Sequence, residues 1–153
     1  MIKRIERQFA GRTLSLEFGR MARNAQGSCL VQYGDTVVLC AATVQDGPSH
    51  LPFFPLTIEF QEKSYAAGKI PGGFFKREGR PSENAILSMR LTDRPLRPLF
   101  PKGFQHETQV ACFVLSTDQE NAADVLGMLG ASVALNMSKI PFNTLVATVR
   151  IGR

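Results

Sequence analysis

The chain has 153 residues, of which 44% are hydrophobic, and a formal net charge of +5. This length suits one compact domain, and we expect a single domain over residues 1–153. The longest uncharged run, residues 125–138, is shorter than the ~20 apolar residues that span a bilayer. Residues 1–9 mix cations with Glu6 and lead into no apolar block, which argues against a signal peptide. We therefore expect a soluble, cytoplasmic protein that is not bound to a membrane.

The first part of the chain predicts β-strands. Residues 14–18 alternate apolar and polar side chains, which is typical of a half-buried strand. Residues 28–33 and 36–44 are rich in Val, Leu and Thr and flank a Gly-Asp pair, so they predict a β-hairpin. Residues 56–60 continue the alternation and predict a further strand.

The middle of the chain predicts a loop followed by a helix. Residues 62–80 lack a hydrophobic period and contain several Gly and Pro signals, which indicates a long, mobile loop. Ser82 is a suitable N-cap for the helix. We expect the helix to end near Asp93, because Pro95 disfavours helical backbone at Arg94. Its predicted apolar stripe consists of Ala85, Ile86, Leu87 and Met89.

The last third predicts a strand at residues 110–116, a helix at 124–137 and a strand at 145–151. The helix contains Gly127 and Gly130, which would allow it to pack closely on a sheet. Together the elements predict a two-layer α/β domain of the α+β arrangement. Because a terminal strand without a neighbour would leave an open sheet edge, we expect the domain to be truncated at its C-terminal end.

The positive charge is concentrated in one window. Residues 62–102 hold nine Lys/Arg against four Asp/Glu, a surplus equal to the net charge of the whole chain. Such a window predicts a polyanionic partner. The alternative is a solvated surface loop without a ligand.

Residues suited to bond-breaking chemistry or metal binding are scarce. His50 and His106 have no partner at metal-ligand spacing, and the three cysteines, each among apolar residues, predict reduced and buried thiols. Asp118, Glu120 and Asp124 could together hold Mg²⁺, but they also suit turn and helix N-terminal positions. We therefore assign no catalytic residue and no metal ligand to this segment.

One short stretch has the composition of a single-stranded nucleic-acid contact. Phe74 and Phe75 offer faces on which bases can stack, and Lys76, Arg77 and Arg80 can pair with phosphates. The alternative for either Phe is that its ring fills the core beneath the loop.

Three further arginines follow at intervals of four and three residues: Arg90, Arg94 and Arg97. On a helix they would share one face and are candidate RNA contacts. The alternative is an ion-pair network at the helix end, in which Asp93 bridges Arg90 and Arg97.

Residues 74–83 read Phe-Phe-Lys-Arg-Glu-Gly-Arg-Pro-Ser-Glu, and residues 90–101 read Arg-Leu-Thr-Asp-Arg-Pro-Leu-Arg-Pro-Leu-Phe-Pro. Together with residues 54–57 and 65–72, these stretches resemble the first core domain of bacterial polynucleotide phosphorylases. The similarity extends over nearly the whole chain. It implies an RNase PH-like domain of the ribosomal protein S5 domain 2-like type, with a mixed β-sheet packed against helices.

That resemblance implies a phosphorolytic 3′-to-5′ exoribonuclease of mRNA turnover as the parent protein. Inorganic phosphate would be the co-substrate, Mg²⁺ would assist, and single-stranded RNA would be released as nucleoside diphosphates. Family members form trimeric rings, with further partners possible in RNA-degradation complexes. Their chemistry lies mainly in a second core outside this segment, so this segment would contribute RNA guidance and ring assembly. A stand-alone RNA-binding module without activity is the alternative.

The resemblance also implies roles for individual residues. In the family, the Phe-Phe-basic loop lines the channel that admits the RNA 3′ end, so Phe74, Phe75, Lys76, Arg77 and Arg80 would contact RNA. The family more often has Arg at the position of Lys76. Lys keeps the charge but loses the planar, two-pronged guanidinium, so the general role should persist while the contact geometry differs.

Overall fold

A computed structural model describes residues 1–152 of the chain. Within them lie six β-strands, two α-helices and two short 3₁₀ turns, Ser64–Ala67 and Arg97–Leu99. The strands are β1 (Lys3–Phe9), β2 (Arg12–Phe18), β3 (Gly27–Tyr33), β4 (Thr36–Val44), β5 (Leu56–Glu62) and β6 (Thr108–Ser116); the helices are α1 (Glu83–Leu96) and α2 (Ala123–Met137).

The strands form one mixed sheet in the order β1-β2-β3-β4-β6-β5. Neighbouring strands are antiparallel except β5 and β6, which run parallel and are joined by the crossover that contains α1. Helix α2 packs on β3, β4 and β6, and α1 packs on β5. The expected mixed sheet with a helical layer is therefore confirmed, as are the strands predicted at residues 14–18, 28–33, 36–44, 56–60 and 110–116.

Small residues allow α2 to lie close to the sheet. A Cβ atom added at Gly130 would lie 2.6 Å from the sulfur of Cys40, and one at Gly127 would lie 2.6 Å from the ring of Phe60. Both distances are shorter than real Cβ contacts. The close approach predicted from Gly127 and Gly130 is confirmed.

The cysteines form a row beneath α2. Cys29 is the cross-strand partner of Cys40, which is in turn the partner of Cys112. All three are buried free thiols, as predicted. Burial raises the pKa of the Cys29 thiol to about 12, so this thiol stays protonated and behaves as a small hydrophobic side chain.

Helix α1 is longer than the sequence predicted. It continues through Pro95 to Leu96 instead of ending near Asp93. Pro95 lacks the N–H that an interior helical residue donates, but two features hold the last turn. Leu96 is fully buried, and the backbone N–H of Arg97 donates to the carbonyl of Asp93.

Both ends of the described chain also differ from expectation. Residues 145–151 are not a strand: the N–H of Val146 donates to Ser132 Oγ at 2.7 Å and Arg150 pairs with Asp124, so the segment runs along α2. Val146 packs against the core and Thr148 bonds Met128 of α2, whereas the alternating residues Leu145, Val149 and Ile151 are 60%, 72% and 88% exposed. Conversely, β1 was not predicted, because all seven of its residues are exposed at the sheet edge and show no buried face.

Neither of the helices within residues 1–152 has the length and apolar character needed to cross a membrane.

Candidate nucleic-acid interface

The basic window contains a long loop that connects β5 to α1. After β5 ends at Glu62, the only regular structure before Ser82 is the 3₁₀ turn Ser64–Ala67. Every residue from 72 to 80 is exposed. The predicted loop is therefore present, and we call residues 72–77 the aromatic arm.

Both aromatic side chains of the arm face solvent. Phe74 is 93% exposed and Phe75 is 80% exposed, and their rings meet edge to face with centroids 5.4 Å apart. Neither ring fills the core, so the alternative reading of these residues is not observed. Exposing two Phe rings forgoes the free energy of burying them, and both rings have a face available for stacking.

The cations of the arm are likewise available. Lys76 and Arg77 are exposed, and neither forms an ion pair within residues 1–152. Lys76 has a φ of 48° and follows Gly73, at 79°, by three positions. A non-glycine residue in this left-handed region costs roughly 1 kcal/mol or more, and such strain is typical of functional loops.

One carboxylate connects this loop to the folded body. The backbone N–H of Ser64 donates to Glu78 Oε1 at 2.7 Å. Sequence reasoning did not single out Glu78, although a lone acidic residue among Lys76, Arg77 and Arg80 was the available signal. Arg80 itself is exposed beside this contact.

Helix α1 follows the loop and begins at the predicted cap. Ser82 Oγ accepts a hydrogen bond from the N–H of Ala85 at 3.1 Å. The helix buries Ala85, Ser88, Thr92 and Leu96. The hydroxyls of Ser88 and Thr92 can be buried because each donates to the carbonyl four residues earlier.

The apolar stripe predicted for α1 was partly wrong. Ala85 is buried and Met89 packs against the core, but Ile86 and Leu87 are 47% and 55% exposed. The buried hydroxyls take the place that apolar side chains were expected to fill. As a result, the outward face of α1 carries apolar side chains beside the cations Arg90 and Arg94.

The three arginines divide into two kinds. Arg90 and Arg94 are exposed and form no ion pair within residues 1–152. Arg97 pairs with Asp93 at 2.6 Å and also donates to the carbonyls of Phe54 and Leu56 at 2.9 and 3.1 Å. For Arg97 the ion-pair alternative is therefore observed, and it ties the end of α1 to the start of β5. Asp93 bridges to Arg97 alone and not to Arg90.

The acidic residues considered for Mg²⁺ are engaged within the protein. Asp118 accepts from the backbone N–H groups of Glu120 and Asn121 and from the hydroxyl of Thr36. Hydrogen bonding, chiefly from the backbone N–H of Asn121, lowers the pKa of Asp118 below its ordinary value. The remaining two acids bind arginines: Glu120 binds Arg12, and Asp124 binds Arg150.

This donor set does not fit a magnesium site. Within residues 1–152 no group of three or more His, Cys, Asp or Glu side chains is arranged to hold a metal ion. Asp118 acts in a turn and Asp124 lies in the first turn of α2, in line with the turn and helix N-terminal positions given as the alternative, while the ion pairs of Glu120 and Asp124 were not predicted.

Comparison with known proteins relates this geometry to a family. Residues 10–141 match the model of the 3′ exoribonuclease family, domain 1. The chain is 62% identical over 150 residues to the polyribonucleotide nucleotidyltransferase of Gemmatimonas aurantiaca, an alignment that covers 98% of this chain and 20% of that protein. It is 56% identical over 149 residues to the enzyme of the same name from Thermus thermophilus, covering 97% and 21%. The chain thus spans about one fifth of the length of these relatives.

Solved structures share the fold. An Archaeoglobus fulgidus exosome with RNA bound to its active site aligns with a TM-score of 0.59 and 24% identity over 92% of this chain and 52% of that chain. An archaeal exosome core aligns with a TM-score of 0.54 and 21% identity over 92% and 49%. At these identities the likeness concerns the fold alone.

Proposed function

This chain belongs to the 3′ exoribonuclease family, as a first domain with the RNase PH-like fold, and on that basis we propose that its protein shortens single-stranded RNA from the 3′ end. Residues 1–153, taken as one domain, would contribute RNA guidance and ring assembly to that activity. The relatives that carry the name polyribonucleotide nucleotidyltransferase support this assignment.

The aromatic arm is the observation that carries the proposal. It presents two exposed Phe rings directly before two cations that form no ion pair within residues 1–152, and Arg80 follows three residues after Arg77. Stacking and phosphate pairing are the two interactions that sequence-tolerant binding of single-stranded nucleic acid requires. Arg90 and Arg94 on α1 extend the cationic surface, whereas Arg97 holds the helix end and would act on RNA only through that support.

The proposed reaction is phosphorolysis. Inorganic phosphate attacks the phosphorus of the 3′-terminal linkage, the bond to the 3′ oxygen of the preceding nucleotide breaks, and a nucleoside diphosphate leaves. The shortened RNA keeps a 3′ hydroxyl after protonation of that oxygen. We place Mg²⁺ and the reacting groups outside residues 1–152, because Asp118, Glu120 and Asp124 are engaged with other partners and the described residues contain no other group of acids arranged to hold a metal ion.

Assembly is the second part of the proposal. We infer a cytoplasmic homotrimeric ring that can also join RNA-degradation complexes. The similar solved structures are exosome assemblies. In this chain Ile86, Leu87 and Leu91 leave apolar side chains 47–55% exposed on α1, and such surface is typical of a contact with another protein surface.

Binding of oligo(A) to the intact protein at several salt concentrations tests the guidance role. Phe74→Ala/Phe75→Ala should weaken binding by about 1–3 kcal/mol per stacked base with little change in salt dependence. Phe53→Ala is the matched control, because Phe53 is 59% exposed outside the loop. Unchanged affinity in the double variant, or an equal loss with Phe53→Ala, would remove the guidance role.

The cations of the arm have a different signature in the same assay. Lys76→Ala/Arg77→Ala should flatten the log-log salt dependence of oligo(A) binding by roughly 1 to 1.5, because fewer counterions are released. Lys102→Ala controls for a general loss of positive charge, since Lys102 is exposed outside the arm. An unchanged slope in the double variant would mean that these side chains do not contact phosphate.

A stand-alone RNA-binding module remains the second candidate, favoured by the absence of a metal-binding acid set within residues 1–152. Phosphate-dependent release of nucleoside diphosphates from poly(A) by the intact protein separates the two. Turnover supports the exoribonuclease, and tight binding without turnover supports the module.

A further inference from the structure

We propose that Glu78 is a positioning residue for the aromatic arm: its carboxylate fixes the base of the arm and so limits the space that Phe74 and Phe75 sample. The inference rests on the proposed function, because it concerns how the arm meets RNA. Glu78 touches no substrate in this role. It acts through the arm.

The contact joins the loop to a rigid part of the fold. The N–H of Ser64 that donates to Glu78 belongs to the first residue of the 3₁₀ turn Ser64–Ala67. Within that turn Ala66 is buried, and its carbonyl accepts from the N–H of Thr117 at 3.0 Å, just after β6 ends. A path of hydrogen bonds therefore runs from Glu78 through the turn to the sheet.

Glu78 is the sole hydrogen-bonded anchor that the described residues provide between the turn and the helix cap. Residues 70–81 form no other hydrogen bond, to backbone or side chain, in the part of the chain that the structure describes. The bond closes a loop between residues 14 apart in sequence. Without this bond, residues 70–81 would be held by hydrogen bonds only at their two ends, at Lys69 and at Ser82.

A restrained arm binds with a smaller loss of conformational entropy than a free one. Ordering a flexible segment on binding subtracts from affinity, and preorganisation reduces that cost. Glycines flank the rings at Gly72, Gly73 and Gly79, and a Cβ at any of them would meet no atom within 4 Å. Because packing does not hold the arm, its orientation depends on the Glu78 bond.

The negative charge of Glu78 has its own effect on RNA affinity. A carboxylate beside Arg77 repels RNA phosphates and partly cancels the arm's positive charge. Tether and charge thus act in opposite directions on RNA affinity. Replacing Glu78 by Gln removes the charge but keeps an oxygen that can accept from Ser64, whereas replacement by Ala removes both.

The test compares Glu78→Gln and Glu78→Ala in the intact protein, with oligo(A) affinity and amide hydrogen exchange at Ser64 as readouts. Glu78→Gln should bind as tightly as the parent protein or more tightly. Glu78→Ala should bind about fivefold more weakly than Glu78→Gln, the factor that one exposed hydrogen bond provides. Exchange at Ser64 should accelerate in the Ala variant alone. Glu83→Ala, which removes a nearby charge without a hydrogen bond to the loop, should not weaken binding.

Equal affinities for the Ala and Gln variants would overturn the tether, because charge alone would then explain both. The Phe74→Ala/Phe75→Ala variant separates this failure from failure of the proposed function. If that variant keeps full affinity, RNA guidance is wrong whatever Ser64 shows. If it loses affinity while the two Glu78 variants match, only the tether is wrong. In the background without the rings, Glu78→Ala and Glu78→Gln should bind RNA equally, and a fivefold difference that persists there would contradict action through the rings.

Discussion

Phe and Gly have opposite surroundings in two regions of the molecule. One region is the layer in which α2 packs on the sheet, and the other is the aromatic arm. In the layer, Phe60 is fully buried and its ring lies against Gly127, where an added Cβ would be 2.6 Å away. In the arm, Phe74 and Phe75 are almost fully exposed and the neighbouring glycines have open space around them. Phe and Gly therefore do not define a role by themselves.

Their surroundings decide what these residues contribute. A glycine beneath a helix allows two backbones to approach, and the ring beside it adds buried apolar area. A glycine in an exposed loop leaves the backbone free, and an exposed ring is available to a ligand. Substitutions matched between the two regions should therefore separate stability from RNA binding.

The largest contrast should come from the aromatic rings. Phe60→Ala should lower the free energy of unfolding by about 3–5 kcal/mol, because a buried ring is lost and a cavity is left. Phe75→Ala should change it by no more than about 0.5 kcal/mol, as at other exposed sites. Urea titrations of both variants measure this. A loss above about 1 kcal/mol for Phe75→Ala would show that its ring is packed in solution.

Glycine substitutions should give the next largest contrast. Gly130→Ala should destabilise the fold by about 1–3 kcal/mol, because the new methyl group would overpack Cys40 and Val31. Gly79→Ala should be neutral or stabilise by up to about 1 kcal/mol, since its Cβ meets nothing and its φ is not in the left-handed region. Thermal melts in parallel decide the matter, and similar losses at the two sites would contradict the comparison.

Much of the layer could be predicted from the sequence because burial leaves a periodic signal. The β3–β4 hairpin follows from a Gly-Asp turn between Val-rich runs, and α2 follows from small residues spaced among large apolar ones. Local rules failed where tertiary contacts outweighed them. Helix α1 passes through Pro95 because Leu96 is buried and Arg97 closes the last turn.

Some features of the candidate site could likewise be predicted from the sequence, and others depend on tertiary contacts. Exposure of both Phe rings could be suspected from a Gly-rich basic loop, but not established, because a single ring can turn into a core. The structural role of Arg97 depends on the carbonyls of Phe54 and Leu56, which lie more than 40 residues earlier in the chain. The Glu78 contact joins the exposed part of the loop to the 3₁₀ turn at Ser64, and no sequence period predicts such a pair.

The smallest expected difference in stability is between substitutions of two carboxylates, Asp118 near the layer and Glu78 beside the arm. Asp118 accepts several hydrogen bonds that lock the β3–β4 turn to the segment before α2, whereas Glu78 accepts one from the loop. Because the pKa of Asp118 is lower in the folded state than its unfolded value of about 3.9, its ionised form stabilises the fold above that value. This contribution is lost as pH falls through the folded pKa.

Asp118→Asn, which turns an amide N–H₂ toward groups that donate, should therefore unfold at lower urea than the parent protein at pH 7. The gap should narrow as the pH is lowered below about 4, because Asp118 then takes up a proton in the unfolded chain while it stays ionised in the folded one, which favours unfolding of the parent protein. Glu78→Gln should shift the urea midpoint little at pH 7, as exposed substitutions do. A gap for Asp118→Asn that stays constant from pH 7 to pH 3 would mean that packing of the side chain, and not its charge, holds this turn.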